Sequence, residues 1–352
     1  MIPVFDGHND TLLDLYLDRS GTGRSFLKRS DVGHIDLPRA VEGGFGGGFF
    51  AVFPPSGQSL DAVDKQRTDT DRGYEVPLAP PINQVEALQH TMAITASLFR
   101  LEKASQGRVK VVRTAEELEA CLMSGTIAIV LHFEGAEAIG TDLSALEVFY
   151  RAGLRSLGIV WSRPNAFGTG VPFSFPASPD IGPGLTEAGR ELIKTCNGLG
   201  IMIDLSHLNE RGFWDVAELS NAPLVATHSN AHALCPTPRN LTDEQLAAIK
   251  DSRGMVGLNF AVGFLREDGQ RNPDVPLEVL VKHIDYLIAR VGIDHVGLGS
   301  DFDGAMIPQV IGDVSGLQRL IEALRTHGYD EISLQKIAHL NWLGVLKRTW
   351  KT

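Results

Sequence analysis

Short apolar runs alternate with amphipathic segments through most of the 352 residues. Runs bounded by turn-forming residues occur at Pro3–Asp6, Gly47–Phe53, Ile127–Phe133, Ser156–Trp161, Ile201–Leu205, Leu224–Thr227, Met255–Phe260 and His295–Gly299. Their near-continuous apolar character predicts strands buried on both faces, as in a parallel sheet. Between them lie helical patterns with readable starts. Thr114-x-x-Glu117 and Thr242-x-x-Gln245 are capping boxes, and Pro276 opens an amphipathic segment over Leu277–Arg290. Eight β/α units in one chain predict an α/β fold, a (β/α)8 TIM-like barrel forming a single domain over residues 1–352. A doubly wound open sheet is the alternative, but no dinucleotide fingerprint supports it. Gly44-x-Gly46 has Phe49 where a third glycine belongs, so Gly43–Gly48 is expected as a tight loop entering a strand.

Two stretches interrupt the alternation. Residues 54–81 are polar and Pro-containing, and residues 165–185 are rich in Gly, Pro and Ser. Both follow strands, so both are expected as long loops on the barrel face where pockets are built. Composition narrows the partners. A net charge of −11 without a basic cluster argues against nucleic acid and anionic membrane. No run is apolar enough to span a bilayer, and neither a signal peptide nor a lipid-anchor tail is expected. Cys121, Cys196 and Cys235 are odd in number and widely spaced, which favours a reduced, cytoplasmic setting.

The chemistry gathers at the strand ends. The first strand delivers His8 and Asp10, the third His132 and Glu134, the fifth Asp204 and His207, the sixth His228, and the eighth Asp301 and Asp303. In a barrel these C-terminal ends converge on one face. Imidazoles and carboxylates at such a point suit metal binding, and a carboxylate such as Glu134 can bridge two ions. Taken singly, His8 reads as a core histidine and Asp10 as a helix cap. The joint pattern favours ligands. His132 is expected to make a structural hydrogen bond, and His232 to lie outside the ligand set. Asp204 reads equally as a supporting or purely structural residue, and Asp303 as a turn cap. No Gly-x-Ser-x-Gly elbow of a serine hydrolase occurs.

The set Asp6-Gly7-His8-Asn9-Asp10, His132-Phe133-Glu134-Gly135, Gly184-Leu185-Thr186-x-x-Gly189, Asp204-Leu205-Ser206-His207, His228-Ser229, Arg239-Asn240-Leu241 and Ser300-Asp301-Phe302-Asp303-Gly304 resembles the membrane (renal-type) dipeptidase family. Its members are binuclear zinc peptidases of the amidohydrolase superfamily, and the motifs run in the family's order along nearly the whole chain. The resemblance implies that His8 and Asp10 bind one zinc, His207 and His228 a second, and that Glu134 bridges the two. It implies attack by a metal-bridging hydroxide, with Asp301 moving the proton to the leaving amine. Arg239 would hold the free carboxylate of a dipeptide, with L-Xaa-D-Xaa substrates included. Family members often pair as dimers, which makes a second copy of the chain an expected partner beside the dipeptide. One departure touches substrate handling. The family ends its fourth strand in Thr-His, whereas this chain places Trp161 there, so Trp161 and Asn165 are expected at the substrate, and polarisation of the scissile carbonyl is expected from a metal alone or from a neighbour such as Arg163 or Asn165. The substitution keeps hydrolysis of an N-acyl amino acid or a lactam open as an alternative, with a non-catalytic barrel as a further one.

Overall fold

The structure, a computed structural model, describes residues 1–18, 23–56 and 66–351. In chain order its strands are β1 (Val4–Asn9), β2 (Phe45–Val52), a short antiparallel pair β3 (Thr68–Thr70) and β4 (Gly73–Glu75), β5 (Val109–Val111), β6 (Ile127–Glu134), β7 (Leu154–Gly158), β8 (Met202–Asp204), β9 (Val225–Ala226), β10 (Met255–Asn259) and β11 (Val296–Gly299). β1 pairs with β2, β2 with β6, and β6 through β11 pair in sequence order before β11 returns to β1. All of these pairings are parallel, and they close an eight-stranded (β/α)8 barrel.

The alternation of each strand explains the two shells of the core. On β6, Ile127, Ile129, Leu131 and Phe133 face the helices, while Ala128 and Val130 point inward with His132 and Glu134 above them. Trp342, fully buried, closes the barrel floor and donates its ring N–H to Leu298 O at 3.1 Å. Room for that ring comes from glycines: a Cβ on Gly7 or Gly297 would meet it at 2.6 Å.

Several boundaries differ from the expectation. Gly46, Gly47 and Gly48 lie inside β2 rather than in a loop, because the strands approach so closely there that a Cβ on Gly47 would sit 2.1 Å from Ala128 O. β5 has no counterpart among the expected strands. It pairs with Ile127–Ile129 of β6, while β7 takes the same strand from Leu131 onward. β7 begins at Leu154 and stops at Gly158, short of Trp161. Helix starts follow the pattern more closely. Thr242 and Gln245 make both bonds of the capping box ahead of Asp243–Asp251. Thr114 accepts from Glu117 N at 3.2 Å, although the Glu117 carboxylate takes Arg113 N at 2.8 Å.

The two long loops meet over the barrel mouth. Tyr74 on β4 and Phe175 exchange backbone hydrogen bonds of 2.7 and 2.8 Å, and their rings stack at 6.2 Å. Residues 57–65 of the first loop lie outside the described residues. Among the described residues no helix is long and apolar enough to cross a membrane.

Candidate metal centre

The ends of β1 and β11 are clamped together: the Asp6 carboxylate accepts Ser300 N at 2.6 Å and Ser300 Oγ at 2.8 Å. Between Asp6 and Asn9 the pairing with β2 slips, three steps on β1 facing two on β2. His8 emerges from this irregularity, fully buried. Asp10 stands at the N-cap position of the helix Thr11–Leu17 yet makes no side-chain cap bond; its carboxylate instead lies 3.4 Å from His8 Nε2. His207 and Asp301 both adopt left-handed backbone, with φ of 68° and 61°, a conformation that clusters at functional sites.

Glu134 sits at the centre. Its Oε2 lies 3.6 Å from His8 Nε2, while Oε1 lies 3.1 Å from His207 Nε2 and 3.9 Å from His228 Nε2. One carboxylate therefore faces two nitrogen groups with different oxygens. His207 Nε2 and His228 Nε2 are 3.1 Å apart, and the rings of His8 and His228 stack at 3.8 Å. Asp301 completes a second cluster with His8 and Asp10. Neither ring nitrogen of His8 has a hydrogen-bond partner among the described residues.

The supporting bonds fix which nitrogens are free. Thr227 Oγ1 donates its proton to Asp204 Oδ2, so it accepts from His228 Nδ1–H at 2.8 Å and leaves Nε2 with its lone pair. His207 Nδ1 meets Ser162 Oγ at 2.8 Å. Burial, with Arg239 and His8 nearby, holds His207 and His228 well below the usual imidazole range, hence neutral. For His8, burial acts downward, but Glu134 and Asp10 outweigh it and push it up to about 10. Burial, reinforced by Asp10, lifts the Glu134 carboxyl well above its usual range. Buried carboxylates crowded against imidazoles call for compensating positive charge, which a cation would supply. The donor set of imidazole nitrogens and carboxylate oxygens fits a divalent metal.

Above this centre opens a cavity of about 350 Å³, lined by Asp10, Glu134, His207 and Asp301 on its polar side. Phe53, Tyr74, Trp161, Phe173 and Phe264 form aromatic walls. Trp161 is on the cavity, edge-to-face with Phe53 at 5.1 Å and Phe173 at 5.5 Å. Asn165 is not. Its amide donates to Ile159 O at 2.8 Å and its carbonyl accepts from Phe167 N and Gly168 N, which consumes the side chain in a turn. The expectation that Asn165 meets substrate is corrected accordingly. Arg163 is also committed elsewhere, to Glu137 Oε1 at 2.7 Å and Pro54 O at 3.0 Å. Arg239 is buried behind the cavity, its Nη2 donating to His228 O at 3.2 Å and its guanidinium 5.3 Å from the Phe264 ring centre. Burial lowers it to about 10, where it stays cationic at neutral pH.

His132 makes the expected structural bond, Nδ1 to Ser156 Oγ at 2.9 Å. His232 is turned away to Ala177 O. Asp303 is no simple turn cap: its oxygens take Thr11 Oγ1 and His34 N. The sequence reading passed over Ser162, Thr227 and Asn259. Asn259 Nδ2 donates to Asp301 Oδ2 at 2.9 Å, and its place at the end of β10 is a signal the strand-end rule could have used.

A closed parallel barrel gathering imidazoles and carboxylates at its C-terminal mouth defines a metal-dependent hydrolase class. The full chain, residues 1–352, matches the model of the membrane dipeptidase family (peptidase family M19), and it belongs to that family, making it a metallo-dipeptidase. An "uncharacterized protein in pqqA 5'region" of Klebsiella pneumoniae is 52% identical over 271 residues, 77% of this chain and 99% of its own. Dipeptidase tcpJ of Claviceps purpurea is 28% identical over 346 residues, 97% of this chain and 76% of its own. A metallopeptidase from Rhodobacter sphaeroides, solved with a phosphinate mimic of the dipeptide L-Ala-D-Ala, superposes with a TM-score of 0.96 at 57% identity, covering 99% of each chain.

Proposed function

We propose that this dipeptidase holds two zinc ions, one at His8 and Asp10 and one at His207 and His228, with Glu134 between them. The observation that carries this reading is the division of the Glu134 carboxylate, one oxygen toward His8 and the other toward the His207–His228 pair. The ions would supply an activated water and polarisation of the scissile carbonyl. The chain's own residues do the rest. Asp301 faces the cavity with one oxygen held by Asn259. Burial raises its carboxyl, Asp10 adding to the effect and His8 opposing it, which suits a group that takes a proton and returns it to the leaving amine. Arg239 is the cation for the substrate's free carboxylate, its Nε buried and without a partner among the described residues.

For the substrate we infer dipeptides that include the L-Xaa-D-Xaa class, a reading supported by the L-Ala-D-Ala mimic held by the Rhodobacter sphaeroides relative. Trp161 stands on the cavity wall where side-chain preference is set. The test is a panel of L,D- and L,L-dipeptides set against N-acyl amino acids and lactams, with the zinc-supplemented protein. Turnover of L-Ala-D-Ala above the N-acyl compounds is expected. Turnover confined to N-acyl amino acids or lactams would replace the dipeptide assignment.

A further inference from the structure

Three imidazoles face the centre, and their outer nitrogens are treated differently. His207 Nδ1 and His228 Nδ1 each meet a hydroxyl at 2.8 Å. His8 Nδ1 is buried with no partner among the described residues. A metal-bound imidazole ordinarily donates its second N–H to a carboxylate, carbonyl or water, and that bond sets its orientation and basicity. Groups able to receive such a bond cluster with His8. A ring nitrogen of His8, one of His132 and a carboxylate oxygen of Asp204 fall within 4.8 Å of one another. His132 is fully buried, its Nδ1 is engaged by Ser156, and its Nε2 has no partner among the described residues. That Nε2 is 3.7 Å from Asp204 Oδ2, beyond a direct hydrogen bond, so a link between them runs through a water.

We infer that His132, together with Asp204 and one buried water, forms the outer support of His8, making His132 a positioning residue for the His8–Asp10 metal site. The inference rests on the two-metal reading above and adds a residue outside the proposed ligand set. Asp204 extends the network to the other site, because it also receives the Thr227 hydroxyl that orients His228. A water with three polar partners is stably held, and loss of such outer support lowers metal affinity about 10- to 100-fold.

The experiment is zinc binding by competition with a chromophoric chelator, on wild type, His132→Gln, His132→Phe and His8→Ala, beside the melting temperature of each metal-free protein. The expected result is two zinc ions on wild type, with one of them weakened about tenfold or more in His132→Phe and less in His132→Gln. The metal-free melting temperature of His132→Gln stays near that of wild type. Adding His132→Phe to His8→Ala then leaves the remaining zinc unchanged within about twofold, since the supported site is already lost. Wild-type affinity at both sites in His132→Phe would overturn the inference, as would equal weakening of both sites. Should His132→Phe fail to fold, His132→Gln binding both ions as wild type does would overturn it alone. Fewer than two ions on wild type is a different result, refuting the two-metal reading itself.

Discussion

Gly304 follows the Asp301-Phe302-Asp303 turn at the edge of the cavity. A Cβ built there would lie 2.0 Å from Asp10 Oδ2 and 2.6 Å from Asp301 Oδ1. Carbon–oxygen contacts under 3.0 Å are essentially never seen for real Cβ atoms, so Gly304→Ala forces the Asp10 carboxylate back by about 1 Å. Functional geometry tolerates displacements of about 0.5 Å, and about 1 Å costs about 100-fold in rate, or about 2.7 kcal/mol. The two atoms that must move are side-chain ends rather than backbone, so the fold is expected to absorb the methyl with little loss of stability. The assay is kcat on L-Ala-D-Ala with bound zinc and melting temperature measured on the same sample. We expect a fall in kcat of about two orders of magnitude, weaker zinc retention, and a melting temperature shifted by only a few degrees. A variant with kcat within threefold of wild type and full zinc would show that Asp10 and Asp301 do not work at the positions described.

Other outcomes follow from the same geometry. Asp301→Asn should keep its zinc and lose about 10²- to 10⁴-fold in kcat, the span of a general acid–base group; near-wild-type turnover would refute the proton role. Arg239→Met should raise KM for free dipeptides by about 10- to 100-fold, the worth of a hydrogen bond to a charged group. C-terminally amidated dipeptides should be affected far less, and an equal effect on both would assign Arg239 to holding His228. His283 is buried, its Nε2 meets Leu265 O at 2.9 Å, and burial lowers it to about 4. The unfolded chain binds that proton near pH 6.5, so stability is full above pH 6.5 and falls as the pH drops toward 4. The loss amounts to about 3 kcal/mol. Urea unfolding across that window should show this slope in wild type and a smaller one in His283→Gln; identical slopes would refute it.

The barrel and its chemistry were legible in the sequence for one physical reason. Strands buried on both faces read as apolar runs, and a charged or imidazole residue at the end of such a run stands out, as with His8, Glu134, His207, His228 and Asp301. What escaped depends on contacts between distant segments. β3 and β4 are short and largely exposed, and they exist because Tyr74 pairs with Phe175 about 100 residues later. β5 is three residues long and finds its place only against β6. The hydroxyls that orient the imidazoles are equally silent, since Ser162 and Thr227 resemble any strand-end Ser or Thr until His207 and His228 are placed beside them. Asn165 is silent too, because its place four residues after Trp161 says nothing of its side chain, which turns back on its own loop.

Two metal ions held around Glu134, on which peptide hydrolysis depends, are the core of the proposed function. Its most direct measurement is titration of chelator-stripped protein with zinc, following hydrolysis of L-Ala-D-Ala and bound metal together. Negligible activity is expected in the stripped protein, with activity rising to a plateau at two zinc ions per chain. Full activity without metal, or a plateau reached with fewer than two ions bound per chain, would refute the two-metal reading.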